Sequence, residues 1–158
     1  VKTFTGSVKG TPKYMSPEIW EKSEYSQYSD VYAFSLIAFE IITNQKPFDG
    51  FHFWEIAIKV KNGYRPEFKT EIPRSYKRLI VSCWETNPTS RPTFDQIVFQ
   101  LKSDHGFITE KVNEIEYLKY VKYIDEYKTT FDKSKDINIL NLFQKFSVSQ
   151  SILFDKFQ

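Results

Sequence analysis

The sequence predicts a mainly α-helical protein, and three observations lead to this class. Apolar residues recur at three- and four-residue steps in five segments, which is the spacing of one face of a helix. No segment alternates convincingly between apolar and polar residues, as a half-buried strand would. Proline and glycine fall between the helical segments, where turns are expected. We therefore expect helices joined by long, ordered loops.

Composition limits the classes of protein to consider. A chain of 158 residues that is 41% hydrophobic and 27% charged fits one folded globular domain. The formal net charge is only +2, and the basic residues are scattered among acids, so no nucleic-acid partner is expected. No apolar run is long enough to span a bilayer. Cys83 is the only cysteine, which excludes an internal disulfide and favours a reducing, cytoplasmic location.

The segment "GTPKYMSPE" (Gly10–Glu18) predicts an irregular loop that ends on a short helix. Its prolines and glycine argue against regular structure through the middle. Ser16 is a good helix N-cap, and Pro17 at the first helical position loses no hydrogen bond. Two interpretations remain open from these residues: a plain structural turn, or a surface loop whose rim faces a peptide.

The segment "DVYAFSLIAFEIIT" (Asp30–Thr43) predicts the central helix. It is apolar almost all round, so we expect it to be buried on every side, and it is too short to span a membrane. Burial of each large apolar side chain contributes roughly 1.5–3 kcal/mol, which would make this helix the organising element of the core. Taken alone, Asp30 is an acid at a helix N-terminus, where it favours the helix dipole.

Three further helices are predicted by their apolar stripes and end signals. Asn62-Gly63 is expected to end the first, and Thr93 with Gln96 forms a capping-box pattern before the last. "NPTSRP" (Asn87–Pro92) is expected to be a loop. The stripes are Phe53, Ile56, Ala57 and Val60; Tyr76, Leu79, Ile80, Cys83 and Trp84; and Phe94, Ile97, Val98 and Leu101.

A change in composition after Lys102 predicts a second region. "SDHGF" breaks the pattern, and residues 109–128 then carry apolar residues at three-residue steps beside Lys and Glu. A last stripe follows a polar interruption. We expect residues 103–158 to form a helical extension that packs on the body of the protein or on a partner. The two stripes are Val112, Ile115, Leu118, Val121 and Ile124, and Ile139, Leu142, Phe143 and Phe146.

Three segments together resemble a protein kinase. "GTPKYMSPE", "SDVYAF" and "CWETNPTSRPTF" occur in this order and at roughly the intervals found in the latter part of the kinase large lobe. The resemblance is closest to the tyrosine-kinase-like group of serine/threonine kinases and covers about Val1–Lys102. It implies the helical C-lobe of the kinase fold and transfer of the γ-phosphate of ATP, with Mg²⁺, to Ser or Thr of a protein substrate.

The resemblance also implies a structural ion pair. Ser16-Pro17-Glu18 resembles the Ala-Pro-Glu motif that closes the kinase activation segment. In the family this acid pairs with a distant arginine, and Arg91 in "SRP" matches it. A guanidinium can bind a carboxylate through two hydrogen bonds, so the pair would hold the substrate-facing loop against the back of the lobe.

Further roles follow from the same match. Thr11 matches the threonine whose hydroxyl supports the catalytic aspartate of serine/threonine kinases. Together with Gly10, Lys13 and Tyr14, it would also line the peptide site. The tyrosine-specific kinases usually differ here, which favours Ser or Thr as the acceptor. With the resemblance, Asp30 is expected to anchor the catalytic loop.

The segment before the loop is expected to carry activating phosphates. Thr3, Thr5 and Ser7 lie where kinases are often phosphorylated, although each alone could be an ordinary polar loop residue.

The sequence departs from the family pattern at one position in the central helix: Ser35 stands where a glycine is usual after the phenylalanine of "SDVYAF". Serine is small, so we expect it to be tolerated.

The residues that bind ATP and Mg²⁺ in kinases are absent from the sequence. There is no glycine-rich phosphate loop and no His-Arg-Asp triplet, and "FDG" (Phe48–Gly50) and "DHG" (Asp104–Gly106) are better explained as turns. The two histidines and one cysteine do not make a zinc site. We therefore expect a chain that begins inside the activation segment and is inactive alone. The alternative is a pseudokinase or a helical interaction module.

Overall fold

The computed structural model describes residues 3–5 and 10–131. Residues up to Lys111 form one compact unit, and those from Val112 form a second. Residues 103–111 lie with the first unit, where Phe107 is part of the core. The prediction that residues 103–158 act as an extension stays a prediction, because compactness alone does not define a functional domain.

Helices dominate the first unit, and this confirms the predicted fold class. One-turn 3-10 helices lie at Pro12–Tyr14, Pro88–Ser90 and His105–Phe107. The α-helices are α1 (Pro17–Lys22), α2 (Gln27–Thr43), α3 (Phe53–Lys61), α4 (Arg74–Cys83) and α5 (Phe94–Ser103).

One pair of short strands was not expected. β1 (Phe4–Thr5) pairs antiparallel with β2 (Glu24–Tyr25), with Phe4 opposite Tyr25. The prediction that no segment forms a strand is therefore wrong at these four positions. Two residues are too few to show an alternating pattern, so the sequence carries no signal for them.

The start of α2 differs from the prediction. The helix begins at Gln27, because Ser26 and Ser29 form a capping box. The Ser26 side chain accepts a hydrogen bond from the backbone N–H of Ser29, and the Ser29 side chain accepts one from the backbone N–H of Ser26. Asp30 consequently lies in the first turn rather than at the head of the helix, and it is exposed.

Burial of α2 is confined to one broad face, so the prediction of burial on every side is wrong. Ile37 is 46% exposed and Ile41 is 75% exposed. The partners of α2 in this unit, α4 foremost, lie against its other side. The apolar pattern indicates which residues favour burial. It does not predict on which side of α2 the neighbouring helices pack. The buried residues are Ser29, Val31, Tyr32, Ser35, Leu36, Phe39 and Thr43.

The core consists of two clusters that share α2 and α4. The larger joins these helices to α3 and the loops around it, and the smaller joins them to α5 and to Phe107. The larger contains Tyr32, Leu36, Phe39, Phe48, Ile56, Val60, Ile80 and Trp84; the smaller contains Val31, Leu79, Cys83, Ile97 and Phe107.

The stripes on α3, α4 and α5 are confirmed in their buried members only. Phe53 is 64% exposed, and Phe94 and Val98 are exposed as well. These side chains lie at the edges of their stripes, where a helix face turns towards water. The predicted helix ends are confirmed. Asn62 caps the C-terminus of α3, and Thr93 with Gln96 forms the capping box of α5.

The second unit contains α6 (Glu114–Phe131). The helix was predicted from Thr109, but it begins five residues later, where the side chain of Asn113 accepts a hydrogen bond from the backbone N–H of Glu116. Its predicted packing face stays a prediction. The last stripe, from Ile139 to Phe146, lies outside the described residues. None of the helices in the described part of the chain is long and apolar enough to cross a membrane.

Candidate functional site

The loop from Gly10 to Ser16 is irregular but held in place. Gly10 has a φ of +134°, a conformation that L side chains rarely adopt. The 3-10 turn that follows is closed by a backbone hydrogen bond of 3.0 Å from Tyr14 N–H to the carbonyl of Thr11. Ser16 then precedes α1, with Pro17 in the first turn as predicted, although the Ser16 hydroxyl makes no capping hydrogen bond.

Glu18 in α1 and Arg91 after α4 form a bidentate ion pair. Nη1 of Arg91 lies 2.7 Å from Oε1 of Glu18, and Nη2 lies 2.9 Å from Oε2. The Arg91 side chain is fully buried and that of Glu18 nearly so. Ser29 in α2 donates a third hydrogen bond of 3.0 Å to Oε1. The structure thus brings these two predicted residues together.

The remaining donors of Arg91 extend this connection to other elements. They bond to the backbone carbonyls of Tyr28 at 2.8 Å, Glu85 at 2.7 Å and Thr86 at 3.3 Å. Burial alone would raise the pKa of Glu18, but the hydrogen bonds and charge of Arg91 outweigh it and lower that pKa. The carboxylate is therefore charged at neutral pH, and the pair connects α1 to the start of α2 and to the segment that follows α4.

Tyr32 and Arg65 belong to the same network and were missed from the sequence. The guanidinium carbons of Arg65 and Arg91 each lie 5.1 Å from the centroid of the Tyr32 ring. Arg65 also donates to the carbonyl of Trp84 at 2.7 Å. Burial raises the pKa of Tyr32 to about 12, so the phenol stays neutral between the two cations. No periodicity links these positions, so no sequence signal could have paired them.

Thr11 and Asp30 line one open cavity. It has a volume of about 410 Å³ and lies between the loop and the start of α2. Its other lining residues include Gly10, Tyr14 and Ser29. Asp30 is exposed rather than buried as the burial argument from the sequence assumed, so its carboxylate is free to face a ligand or another segment of protein.

Lys13 and Tyr14 meet a residue that the sequence did not single out. The Tyr14 hydroxyl donates a 2.8 Å hydrogen bond to Oε2 of Glu40, in the last turn of α2. Lys13 Nζ lies 3.7 Å from the same oxygen and 4.8 Å from the centroid of the Tyr14 ring. Glu40 thus attaches the predicted peptide-facing turn to the central helix.

The predicted phosphate acceptors are described only in part. Thr3 is exposed, Thr5 lies in β1, and Ser7 is outside the described residues. Ser35 is buried, and its hydroxyl donates a 2.6 Å hydrogen bond to the carbonyl of Tyr32 one turn earlier. A serine fits this position because its hydroxyl finds a partner within the helix.

The described residues offer no side-chain cluster for a metal ion. Within residues 3–5 and 10–131, no three His, Cys, Asp or Glu side chains lie together in a way that could hold a metal ion. The Cys83 thiol is buried in the core, which raises its pKa to about 11 and leaves it a poor ligand and nucleophile. The surface around the cavity offers a loop held by hydrogen bonds, the exposed carboxylate of Asp30 and the nearby Thr11.

Comparison with known proteins identifies the family. The model of the protein tyrosine and serine/threonine kinase family matches residues 2–101. The chain belongs to this kinase family. The matched range contains the loop, the buried ion pair and the whole of α1 to α4, so the resemblance read from three short segments is confirmed.

Several kinases resemble this kinase-family chain. A probable LIM domain-containing serine/threonine-protein kinase of Dictyostelium discoideum is 37% identical over 66% of the chain and 16% of its own length. The dual specificity protein kinase shkC of the same organism is 38% identical over 69% of the chain and 22% of its own length. Human mitogen-activated protein kinase kinase kinase 7 is 36% identical over 62% of the chain and 16% of its own length. The chain thus spans about a fifth or less of the length of these relatives.

Proposed function

We propose that this kinase-family chain is the peptide-binding part of a protein kinase that phosphorylates serine or threonine. The observation that carries the proposal is that Thr11 and Asp30 line one cavity beside a loop held by a buried ion pair. The Thr11 hydroxyl can orient a base aspartate. The exposed carboxylate of Asp30 can accept hydrogen bonds from the loop that carries this base aspartate.

The ion pair supports the proposal through rigidity. A peptide acceptor must be held within hydrogen-bond reach of a base, because misplacement of the reacting groups costs rate. The loop has little regular structure of its own, so Glu18 and Arg91 supply the fixed geometry. Gly10, Lys13 and Tyr14 would contact the peptide, and phosphorylation of Thr3, Thr5 or Ser7 would regulate access to it.

The ATP and Mg²⁺ site of this kinase would be formed by residues outside this 158-residue sequence. Phosphoryl transfer depends on lysine, magnesium ligands and a base aspartate, and residues 3–5 and 10–131 contain no cluster of His, Cys, Asp or Glu side chains that could hold a metal ion. We propose that the reading frame preceding Val1 encodes them. The chain alone is then expected to transfer no phosphate.

The acceptor is proposed to be Ser or Thr on account of Thr11. Two relatives are named as serine/threonine kinase and mitogen-activated protein kinase kinase kinase, which agrees with this choice. The relative named as a dual specificity kinase favours a second candidate, in which tyrosine is accepted as well. We also propose a protein substrate, a cytoplasmic location and a protein partner for residues 103–158.

The test is phosphate transfer from labelled ATP to a mixed library of Ser, Thr and Tyr peptides. It would compare the chain with the same chain joined to the segment that precedes it in the reading frame. The joined protein is expected to label Ser and Thr peptides. Thr11→Ala in it should lower turnover by at least about tenfold, because a misoriented base loses part of the roughly 10²–10⁴-fold that general acid–base catalysis contributes. Thr70→Ala, at an exposed threonine that does not line this cavity, is the matched control.

Two outcomes would contradict the proposal. Transfer by the chain alone would mean that its own residues bind ATP. Absence of transfer by the joined protein, after phosphorylation of its activation segment, would favour the pseudokinase or interaction module instead.

A further inference from the structure

Asn62 is followed by a glycine, and none of the other asparagines in the sequence is. An asparagine in this setting can lose its side-chain amide without an enzyme, because glycine has no Cβ to hinder its own backbone nitrogen. Asn62 is exposed at the end of α3, and a Cβ built on Gly63 would meet nothing within 4 Å. The surroundings of this pair are therefore open to water.

The reaction passes through a cyclic imide and consumes one water molecule. The backbone nitrogen of Gly63 attacks the side-chain carbonyl carbon of Asn62 and gives up its proton to solvent, while the side-chain amide group takes up a proton and leaves as ammonia. Water then adds to one of the two imide carbonyls. Addition at the side-chain carbonyl gives aspartate. Addition at the main-chain carbonyl gives isoaspartate, in which the chain runs through the former side chain and is longer by one carbon.

The Gly63 nitrogen is held by a hydrogen bond in the folded chain. Its N–H is donated to the carbonyl of Val60 at 3.1 Å, so the last turn of α3 must open before the nitrogen can attack. The N–H of Tyr64 closes the same turn, with a bond of 2.9 Å to the carbonyl of Lys59. Helix ends open locally at a fraction of the free energy of global unfolding. Amide loss is therefore expected in the folded protein, at a lower rate than in the unfolded chain.

Arg65 is attached to the same turn. The carbonyl of Val60 that accepts the Gly63 N–H also accepts Nη1 of Arg65 at 3.3 Å. Nε of Arg65 donates to the carbonyl of Trp84 at 2.7 Å, which connects the end of α3 to the end of α4. The position of Arg65 thus depends on the length of main chain between it and Val60.

We propose that Asn62 is a site of spontaneous deamidation and that its isoaspartyl product loosens Arg65 from the end of α3. The extra main-chain carbon separates the two donors that share the Val60 carbonyl. The aspartyl product adds a charge without lengthening the chain, and Lys59 and Lys61 in the last turn offset that charge. The inference goes beyond the proposed function, because neither step involves a peptide or ATP.

The first test follows amide loss in the full 158-residue chain, which is kept in mildly alkaline buffer and then digested with trypsin. Cleavage after Lys61 and Lys69 releases a peptide whose one side-chain amide is that of Asn62. Asn113, which is exposed and precedes a glutamate, is the internal control. Mass spectrometry should show at least about tenfold more amide loss at Asn62 than at Asn113, and Gly63→Ala should remove most of this excess.

The second test isolates the isoaspartyl form by chromatography and compares it with Asn62→Asp, which has the same charge and an unextended chain. The isoaspartyl form should have the lower urea midpoint. In an Arg65→Met background this difference should fall to less than about half, because Arg65 has no contacts left to lose. Isomerisation at Asp49-Gly50 passes through a similar imide, but it releases no ammonia and lies in another tryptic peptide.

Two results of the first test would overturn the inference. They are an amide loss at Asn62 no greater than at Asn113 in the folded chain, and a rate that Gly63→Ala leaves unchanged. If Gly63→Ala does not fold, both chains are compared in urea, where the substitution must still slow the reaction. Equal urea midpoints for the isoaspartyl form and Asn62→Asp would refute the effect on Arg65, and so would an undiminished difference in the Arg65→Met background.

Discussion

Arg91 binds Glu18 through two hydrogen bonds of 2.7 and 2.9 Å, although 73 residues separate them in the chain. Both side chains are buried, so removal of either leaves the other as an unpaired charge away from water. This consequence distinguishes the pair from the ion pairs on the surface of the protein.

We predict that Arg91→Ala and Glu18→Ala each lower the free energy of unfolding by about 3–5 kcal/mol, the usual cost of breaking a buried pair. The double variant should cost less than the sum, because the second removal leaves no further charge unpaired. Urea denaturation of the four proteins measures this coupling. Arg78→Ala is the control, since its pair with Asp104 at 3.5 Å is exposed and worth at most about 1 kcal/mol. Strictly additive losses would contradict the coupling.

Acid should weaken the protein through Glu18. Because the folded-state pKa of this carboxyl is lowered from 4.5, its contribution to stability is complete above the unfolded-state value and is lost as the pH falls through the lower folded value. The difference in unfolding free energy between the native chain and Glu18→Gln should therefore shrink below about pH 4.5. Urea midpoints between pH 7 and pH 3 would show it, and a difference that stays constant to pH 3 would argue against a charged Glu18.

Cys83 should be inert until the protein unfolds. Burial holds its thiol pKa at about 11 and keeps reagents away from it. A thiol-specific reagent at pH 8 should therefore label the native chain at the rate of unfolding and label it at once in denaturant. Since the sequence has one cysteine, the signal is unambiguous. Rapid labelling without denaturant would mean that α4 leaves the core.

Phe107 should stabilise the first unit although it lies beyond the predicted end of the kinase-like region. The side chain is 3% exposed, its ring packs edge-on against Tyr76 at 5.0 Å, and its carbonyl accepts the Tyr76 hydroxyl at 2.8 Å. Phe107→Ala should cost about 3–5 kcal/mol by thermal or urea denaturation. Phe99→Ala, at a side chain that is 70% exposed, should change stability by less than about 0.5 kcal/mol. Equal effects would place Phe107 outside the core.

The helices were predictable because their signals are local. Apolar stripes at helical spacing, the Thr93–Gln96 capping box and the Asn62-Gly63 end each depend on residues within one or two turns. The same local view misjudged Ile37 and Ile41, because it records apolar character and not the side on which the partners of α2 lie.

The site was predictable only as far as the resemblance reached. Nothing in the spacing of the sequence brings Glu18 to Arg91; the family pattern alone suggested their pairing. Glu40, Arg65 and Tyr32 were missed because each acts through contacts between distant segments, and neither periodicity nor capping records such contacts. Glu40 in particular is an acid in the last turn of a mainly apolar helix, and only its contact with Tyr14 indicates its role.

The separation between Glu18 and Arg91 has a consequence for the order in which the protein is made. A growing polypeptide presents the loop and α1 to the cell long before Arg91 has been synthesised, and closing so long an interval is entropically costly until the intervening helices have formed. During that time the Glu18 carboxylate remains hydrated and the loop before α1 has no fixed geometry. The loop and α1 therefore leave the ribosome before Arg91 but become rigid only after it, and a ribosome stalled before Arg91 would display a loop that proteases cut readily.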